Sequence, residues 1–329
     1  MAGDFVGALT NEGLKITKKN GTEVSGSGAS SSGTILRGAK MFDSSNAFFA
    51  LVSGQKMDLI VTNDGKWTKV MTYDLPYGTT DLMIEGNKDS ATVVFSTPEG
   101  GVKFQIGLFI KGWGDDWYQK DINSAWYQNG HNFFAGANVN GTTVVIKGQK
   151  GSGKASILSV GSQWNSLQTK RHEEFSFQGG NPEKASCSAT GGNNMTCIFY
   201  QQDGSSKIVQ YTLSGNYGSE SNPVTETKLL GSSDAISGFQ VQEVHCSGSR
   251  FAVGLKNPSG SATAANWTGC NYAIVVYNSS AKVQKVLSCT DLKTTTGQAS
   301  FALDDFSENT VFVSYPPNNE CSASGLAVN

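Results

Sequence analysis

The densest set of chemically capable side chains lies in GWGDDWYQKDINSAWYQNG (112–130), where Trp113, Trp117, Tyr118, Trp126 and Tyr127 are interleaved with Asp, Asn and Gln. Aromatic faces stack on the C–H surfaces of sugars while carboxylates and amides bond their hydroxyls, so this mixture suits a glycan contact. The competing reading is that the rings fill space between packed sheets. YQQDG (200–204) carries a similar mix. Three arginines, Arg37, Arg171 and Arg250, are the only ones in the chain, and each is equally readable as a salt-bridging surface residue. The three histidines, His131, His172 and His245, are too far apart in sequence for a recognisable zinc spacing. GQKGSGK (148–154) approaches a phosphate-binding loop, but position 155 is Ala where Ser or Thr is needed, and SILSVGS after it has strand character. No G-x-S-x-G elbow is present. No metal, cofactor or complete catalytic set is expected.

The elements that must position these residues are strands. Helical periodicity is nearly absent. Thirty-nine glycines, many Ser, Thr and Asn, and only 16% charged residues suit short strands and tight turns. An apolar strand pair recurs seven times, beginning near Phe5, Phe48, Ala91, Phe133, Cys197, Phe251 and Val311. The first four starts lie roughly 41 to 44 residues apart and the later ones roughly 54 to 64. That period, with strands only, resembles a β-propeller over residues 1–329 as a single domain. Seven blades of up to four antiparallel strands are expected, with six or eight as the alternatives. Innermost strands are expected at 34–42, 79–86, 124–130, 184–190, 239–247 and 299–306, and edge strands at 67–74, 156–164, 225–230 and 282–289. The Ser/Gly-rich segment 25–33 reads as an inter-blade loop. The N-terminal pair lacks a strand before it and the C-terminal pair lacks one after it, so the blade near the termini is expected to be shared or incomplete. A vacant strand position offers unpaired backbone groups to another chain or to a copy of this one.

Thr62–Trp67 (TNDGKW) resembles the Asp-box turn of sialidase-type propellers, although it is one residue short and lacks the Thr before the Trp. In that family the box is structural. Sialidases grip a carboxylate with three arginines, so the resemblance offers Arg37, Arg171 and Arg250 as catalytic candidates of a sialidase-like glycoside hydrolase. LRGAK around Arg37 departs from the family's Phe/Tyr-Arg-Ile-Pro motif, and the family has six blades.

Net charge is −2, with no basic stripe to hold a phosphate backbone, so nucleic acid is not expected as a partner. No stretch approaches the roughly 20 apolar residues of a membrane span, and MAGDFVGALTNEG lacks the pattern of a signal peptide. Six cysteines and five Asn-x-Ser/Thr sequons, at Asn20, Asn140, Asn194, Asn266 and Asn278, point outside the cell nonetheless. Cys187 and Cys197 face each other across one turn, and Cys270 and Cys289 across another. Cys246 and Cys321 pair only by subtraction, with free or intermolecular thiols as the alternative. The expected function is a non-enzymatic, extracellular adhesion or assembly module that binds proteins, glycans or its own copies. A sialidase-like hydrolase and a glycan-binding lectin are the alternatives.

Overall fold

The computed structural model describes residues 4–10, 13–27, 35–40, 46–63, 65–75, 77–79, 81–87, 90–97, 103–111, 117–127, 131–139, 142–149, 154–163 and 166–176. In the remainder of the chain it describes 182–202, 206–214, 224–230, 240–248, 250–256, 272–278, 280, 282–288, 300–303, 310–314 and 323–327. Among these residues every regular element is a β-strand, and the strands form seven sheets.

The first sheet is the hairpin β1 (Phe5–Thr10) and β2 (Gly13–Lys18). The second joins β4 (Ile35–Lys40), β5 (Ala47–Ser53), β6 (Lys56–Asn63) and β7 (Lys66–Asp74), with β3 (Ser25–Ser27) added parallel to β7. The third runs β8 (Asp81–Asn87), β9 (Ser90–Thr97), β10 (Lys103–Lys111), β11 (Trp117–Tyr127). The fourth runs β12 (His131–Val139), β13 (Thr142–Gln149), β14 (Lys154–Gln163), β15 (Ser166–Ser176). The fifth runs β16 (Pro182–Gly191), β17 (Asn194–Gln202), β18 (Ser206–Ser214), β19 (Val224–Leu230). The sixth runs β20 (Gln240–Ser247), β21 (Arg250–Lys256), β22 (Tyr272–Tyr277), β23 (Val283–Leu287), and the seventh β24 (Ser300–Leu303), β25 (Thr310–Ser314), β26 (Ala323–Ala327). Five of the seven therefore contain a four-stranded meander whose neighbours in space are neighbours in sequence, the pattern of a propeller blade.

Three expectations change. SAWYQNG (124–130) does not open a sheet: its residues through Tyr127 end β11, which pairs with β10, and β12 itself opens the next sheet. The segment 156–164 lies mainly in β14, a third strand, and the edge is β15. Residues 25–27 are not loop but strand β3, while 28–33 lie outside the described residues. At the termini, β1–β2 and β24–β26 are, among the described residues, separate sheets of two and three strands.

Close packing divides the chain into two compact units. One comprises Met1–His131, Gly141–Val144 and Leu158–Lys170; the other comprises Asn132–Asn140, Val145–Ile157 and Arg171–Asn329. In the first unit β5 buries both of its faces. Phe48, Ala50 and Val52 pack with Leu82, Ile84, Val93 and Phe95 of the third sheet. Their alternates Ala47, Phe49 and Leu51 pack with Phe5, Leu14 and Ile16 of the first. The second unit repeats the scheme. Phe251, Val253 and Leu255 of β21 meet Ile198 and Tyr200 of β17, whereas Ala252 shares the other face with Phe301 and Leu303 of β24.

The Asp-box-like turn has a structural part in this frame. Thr62 is buried, and its Oγ1 accepts from Ala47 N at 2.8 Å and donates to Ala47 O at 3.3 Å, so it extends the β5–β6 ladder beyond Phe48–Val61. Gly65 turns the chain at φ 86°, and Trp67 lies against the backbone of β3. A Cβ at Gly26 would overlap the Trp67 indole. Gly26→Ala should therefore force β3 or the indole out of place and cost about 1–3 kcal/mol. Equilibrium unfolding in denaturant should show this as a lower midpoint.

Candidate functional site

The structure separates the expected aromatic cluster. Trp117 and Tyr118 begin β11 and Trp126 and Tyr127 end it, in register with Lys111, Ile110, Phe104 and Lys103. Nine residues of strand place Trp117 and Trp126 about 30 Å apart, so the two pairs stand at opposite ends of an edge strand. Trp113 lies outside the described residues. Tyr200 of YQQDG is a core residue, 5% exposed.

The three arginines stand on three different sheets. Arg37 stands on β4, with Nε donating to Leu82 O on β8 at 3.1 Å and Nη1 donating to Leu36 O. Arg250 begins β21 and is buried, at 5% exposure. Arg171 belongs to β15, at the end of its sheet remote in strand order from β12.

Cys187 and Cys197 are in register on β16 and β17 and form a disulfide. Gly191 and Gly192 turn the intervening chain at φ 106° and 55°. The proposed Cys246–Cys321 bridge is corrected: Cys246 carries a free thiol. Its Sγ lies 3.6 Å from Thr196 O and 3.5 Å from Gly248 O, within reach of weak S–H donation, and burial pushes the thiol up to about 12. Cys270, Cys289 and Cys321 lie outside the described residues, as do the sequon residues Asn140 and Asn266. Asn20 and Asn194 are exposed, and Asn278 is half-buried at a turn where its Oδ1 accepts from Ser280 N and Lys282 N.

A site that sequence reasoning missed lies on β20. Between Val241 and Glu243 the register against β21 shifts, which makes Gln242 the extra residue of a β-bulge. The bulge keeps Val241 and Val244, three residues apart, on one buried face. It turns Glu243 and His245, partners of Gly254 and Ala252, to the other. There the Glu243 carboxylate lies 3.4 Å from His245 Nε2, with side chains 27% and 39% exposed. The His245 ring meets Phe301 of β24 edge-on, centroids 4.7 Å apart. Tyr272 reaches the same face from β22. Its hydroxyl lies where a Cβ of Gly254 would stand, beside the Phe301 edge, and has no hydrogen-bond partner among the described residues. Burial, and then the Glu243 charge, push the phenol up, so it keeps its proton. The one signal in the sequence was the broken alternation V-Q-E-V in an otherwise period-2 strand.

β20 is held in place by its neighbour β16. Lys184 Nζ donates to Gln242 O at 2.9 Å, the bulge carbonyl. Ser186 Oγ accepts from Cys246 N at 3.0 Å and Ser188 Oγ from Gly248 N at 2.8 Å. Alternate residues of β16 thus serve backbone groups of β20 that no strand pairs.

No protein-family profile and no curated protein matches the chain. Solved structures do. A provisionally assigned 6-phosphogluconolactonase of Bacteroides fragilis aligns with 99% of this chain and 94% of its own, with TM-score 0.59 and 9% identity. A second, from Bacteroides uniformis, aligns over 99% and 97% with TM-score 0.55 and 9% identity. The fucose-specific lectin of Aleuria aurantia aligns over 85% and 87% with TM-score 0.52 and 10% identity.

The likeness is one of fold: the chain is all-β and built like a β-propeller. It also corrects the expectation of a non-enzymatic module, because two of these structures, similar over nearly the whole chain, are assigned as enzymes. No helix among the described residues is long and apolar enough to cross a membrane.

A thiol with a pKa near 12 is almost wholly protonated at neutral pH, and the thiolate is the nucleophile. In the folded protein at pH 8, iodoacetamide should label Cys246 at least about tenfold more slowly than in denaturant, as read by peptide mass spectrometry.

Proposed function

We propose that this protein is a secreted, N-glycosylated propeller of seven blades that acts on carbohydrate, hydrolysing a sugar lactone or related cyclic ester beside β20. The observation that carries the reading is the Glu243–His245 pair, a carboxylate 3.4 Å from an imidazole nitrogen with both side chains partly open to solvent. An imidazole is suited to proton transfer near neutral pH, and a carboxylate beside it stabilises the imidazolium that forms. His245 takes a proton from water through the ring nitrogen facing away from Glu243 as the water oxygen attacks the lactone carbonyl. The bond from the carbonyl carbon to the ring oxygen then breaks, and that oxygen recovers the proton from the imidazolium, leaving the open hydroxy acid. The names of the two Bacteroides structures support lactone chemistry, and that of the Aleuria lectin supports sugar recognition on the same fold.

Secretion is supported by the Cys187–Cys197 disulfide and by Asn20, Asn194 and Asn278 at or beside turns. The free edge of β11, with an aromatic pair at each end, supports a second carbohydrate contact there, through which a glycan or glycoprotein partner would be held. A glycan array with Trp117→Ala and Trp126→Ala tests that contact separately.

D-glucono-1,5-lactone is the first probe. The wild-type protein should hydrolyse it above the spontaneous rate. His245→Ala and Glu243→Gln should each lower kcat/KM by about 10²–10⁴-fold without lowering the melting temperature. Absence of turnover above the spontaneous rate contradicts the reading.

A further inference from the structure

We infer that Tyr272 is a positioning residue for Glu243: its hydroxyl is a second hydrogen-bond partner that the carboxylate takes when it leaves His245. The inference rests on the Glu243–His245 reading above and assigns that site a third member. Three observations carry it. The phenol is 4% exposed and its hydroxyl has no partner among the described residues, an arrangement that costs about 1–3 kcal/mol unless something offsets it. That hydroxyl occupies the space over Gly254, and Gly254 is the cross-strand partner of Glu243, so the bare glycine is what lets the phenol extend across β21 toward the carboxylate. Finally, the Glu243–His245 contact of 3.4 Å is long beside the 2.7–2.9 Å of a charge-assisted bond, so the carboxylate is not committed to the imidazole.

A side-chain rotation would then move Glu243 between two partners. With His245 neutral, a protonated phenol is the better donor. Once His245 has taken a proton, the imidazolium draws the carboxylate back and is stabilised when the reaction needs it. The other charged groups on the packed elements are Glu183 and Lys184 of β16, the latter held at the Gln242 carbonyl, Lys256 and Arg250 at the two ends of β21, and Lys285 of β23. β24 contributes none.

The test is the titration of His245, followed by NMR in the full-length wild-type protein and in Tyr272→Phe, Glu243→Gln and the double variant. Tyr272→Phe should raise the His245 pKa by about 0.5–1 unit, because Glu243 is left with one partner. In the Glu243→Gln background the same change should move nothing. An unshifted His245 titration in Tyr272→Phe overturns the inference, as does an equal shift in the Glu243→Gln background. Neither readout requires turnover, so lack of lactone hydrolysis would refute the proposed reaction while leaving this result to stand or fall separately.

Discussion

The structure depends on burying both faces of the middle strands in its sheets. A strand that alternates apolar with polar residues needs one neighbour. A strand such as YAIVVY in β22, or AFFALV (47–52) of β5, apolar at every position and buried throughout, needs a sheet on each side. At about 1.5–3 kcal/mol for each large side chain removed from water, these strands are the main source of stability. Stacking successive sheets face to face is the arrangement that satisfies them. Close approach follows from it: a Cβ at Gly7 would stand 2.7 Å from the Phe49 ring, so β1 can lie on the second sheet only without a side chain there.

Polar function is consequently pushed to the first strands, where a sheet ends and backbone groups lack a ladder. In each unit the first strand of one sheet packs beside that of the next, β4 with β8 and β16 with β20. Their side chains take the place of a ladder. Arg37 serves the Leu82 carbonyl, and Lys184, Ser186 and Ser188 serve β20. Fixing β20 by its backbone leaves the side chains of Glu243 and His245 available for chemistry. The bulge at Gln242 aims them away from the valine face.

The middle strands were legible because two-sided burial writes an unbroken apolar run between turn residues. All seven expected strand pairs are present, and Cys187–Cys197 followed from their shared distance to a turn. What misled was position within a sheet. HNFFAGANV of β12 is as apolar as a middle strand, so the run before it reads as a first strand, although it ends β11. β15, rich in Gln, Lys, Arg and Glu, lacks the apolar run that marked the other strands. β3 is three residues of Ser and Gly, and only its pairing to β7 makes it a strand. The candidate site was illegible for a related reason. One inserted residue reverses which face each later side chain occupies, and Gly254, Tyr272 and Phe301 reach this face through the pairing of β20, β21 and β22 and the packing of β24 from the next sheet.

Amide hydrogen exchange read by mass spectrometry tests the claim of two-sided burial most directly. The account predicts the slowest exchange in β5, β9, β21 and β22, with markedly faster exchange in β3, β7 and β23, whose faces are partly open. Equal protection across each sheet, or greater protection in β7 and β23 than in β5 and β22, would contradict it.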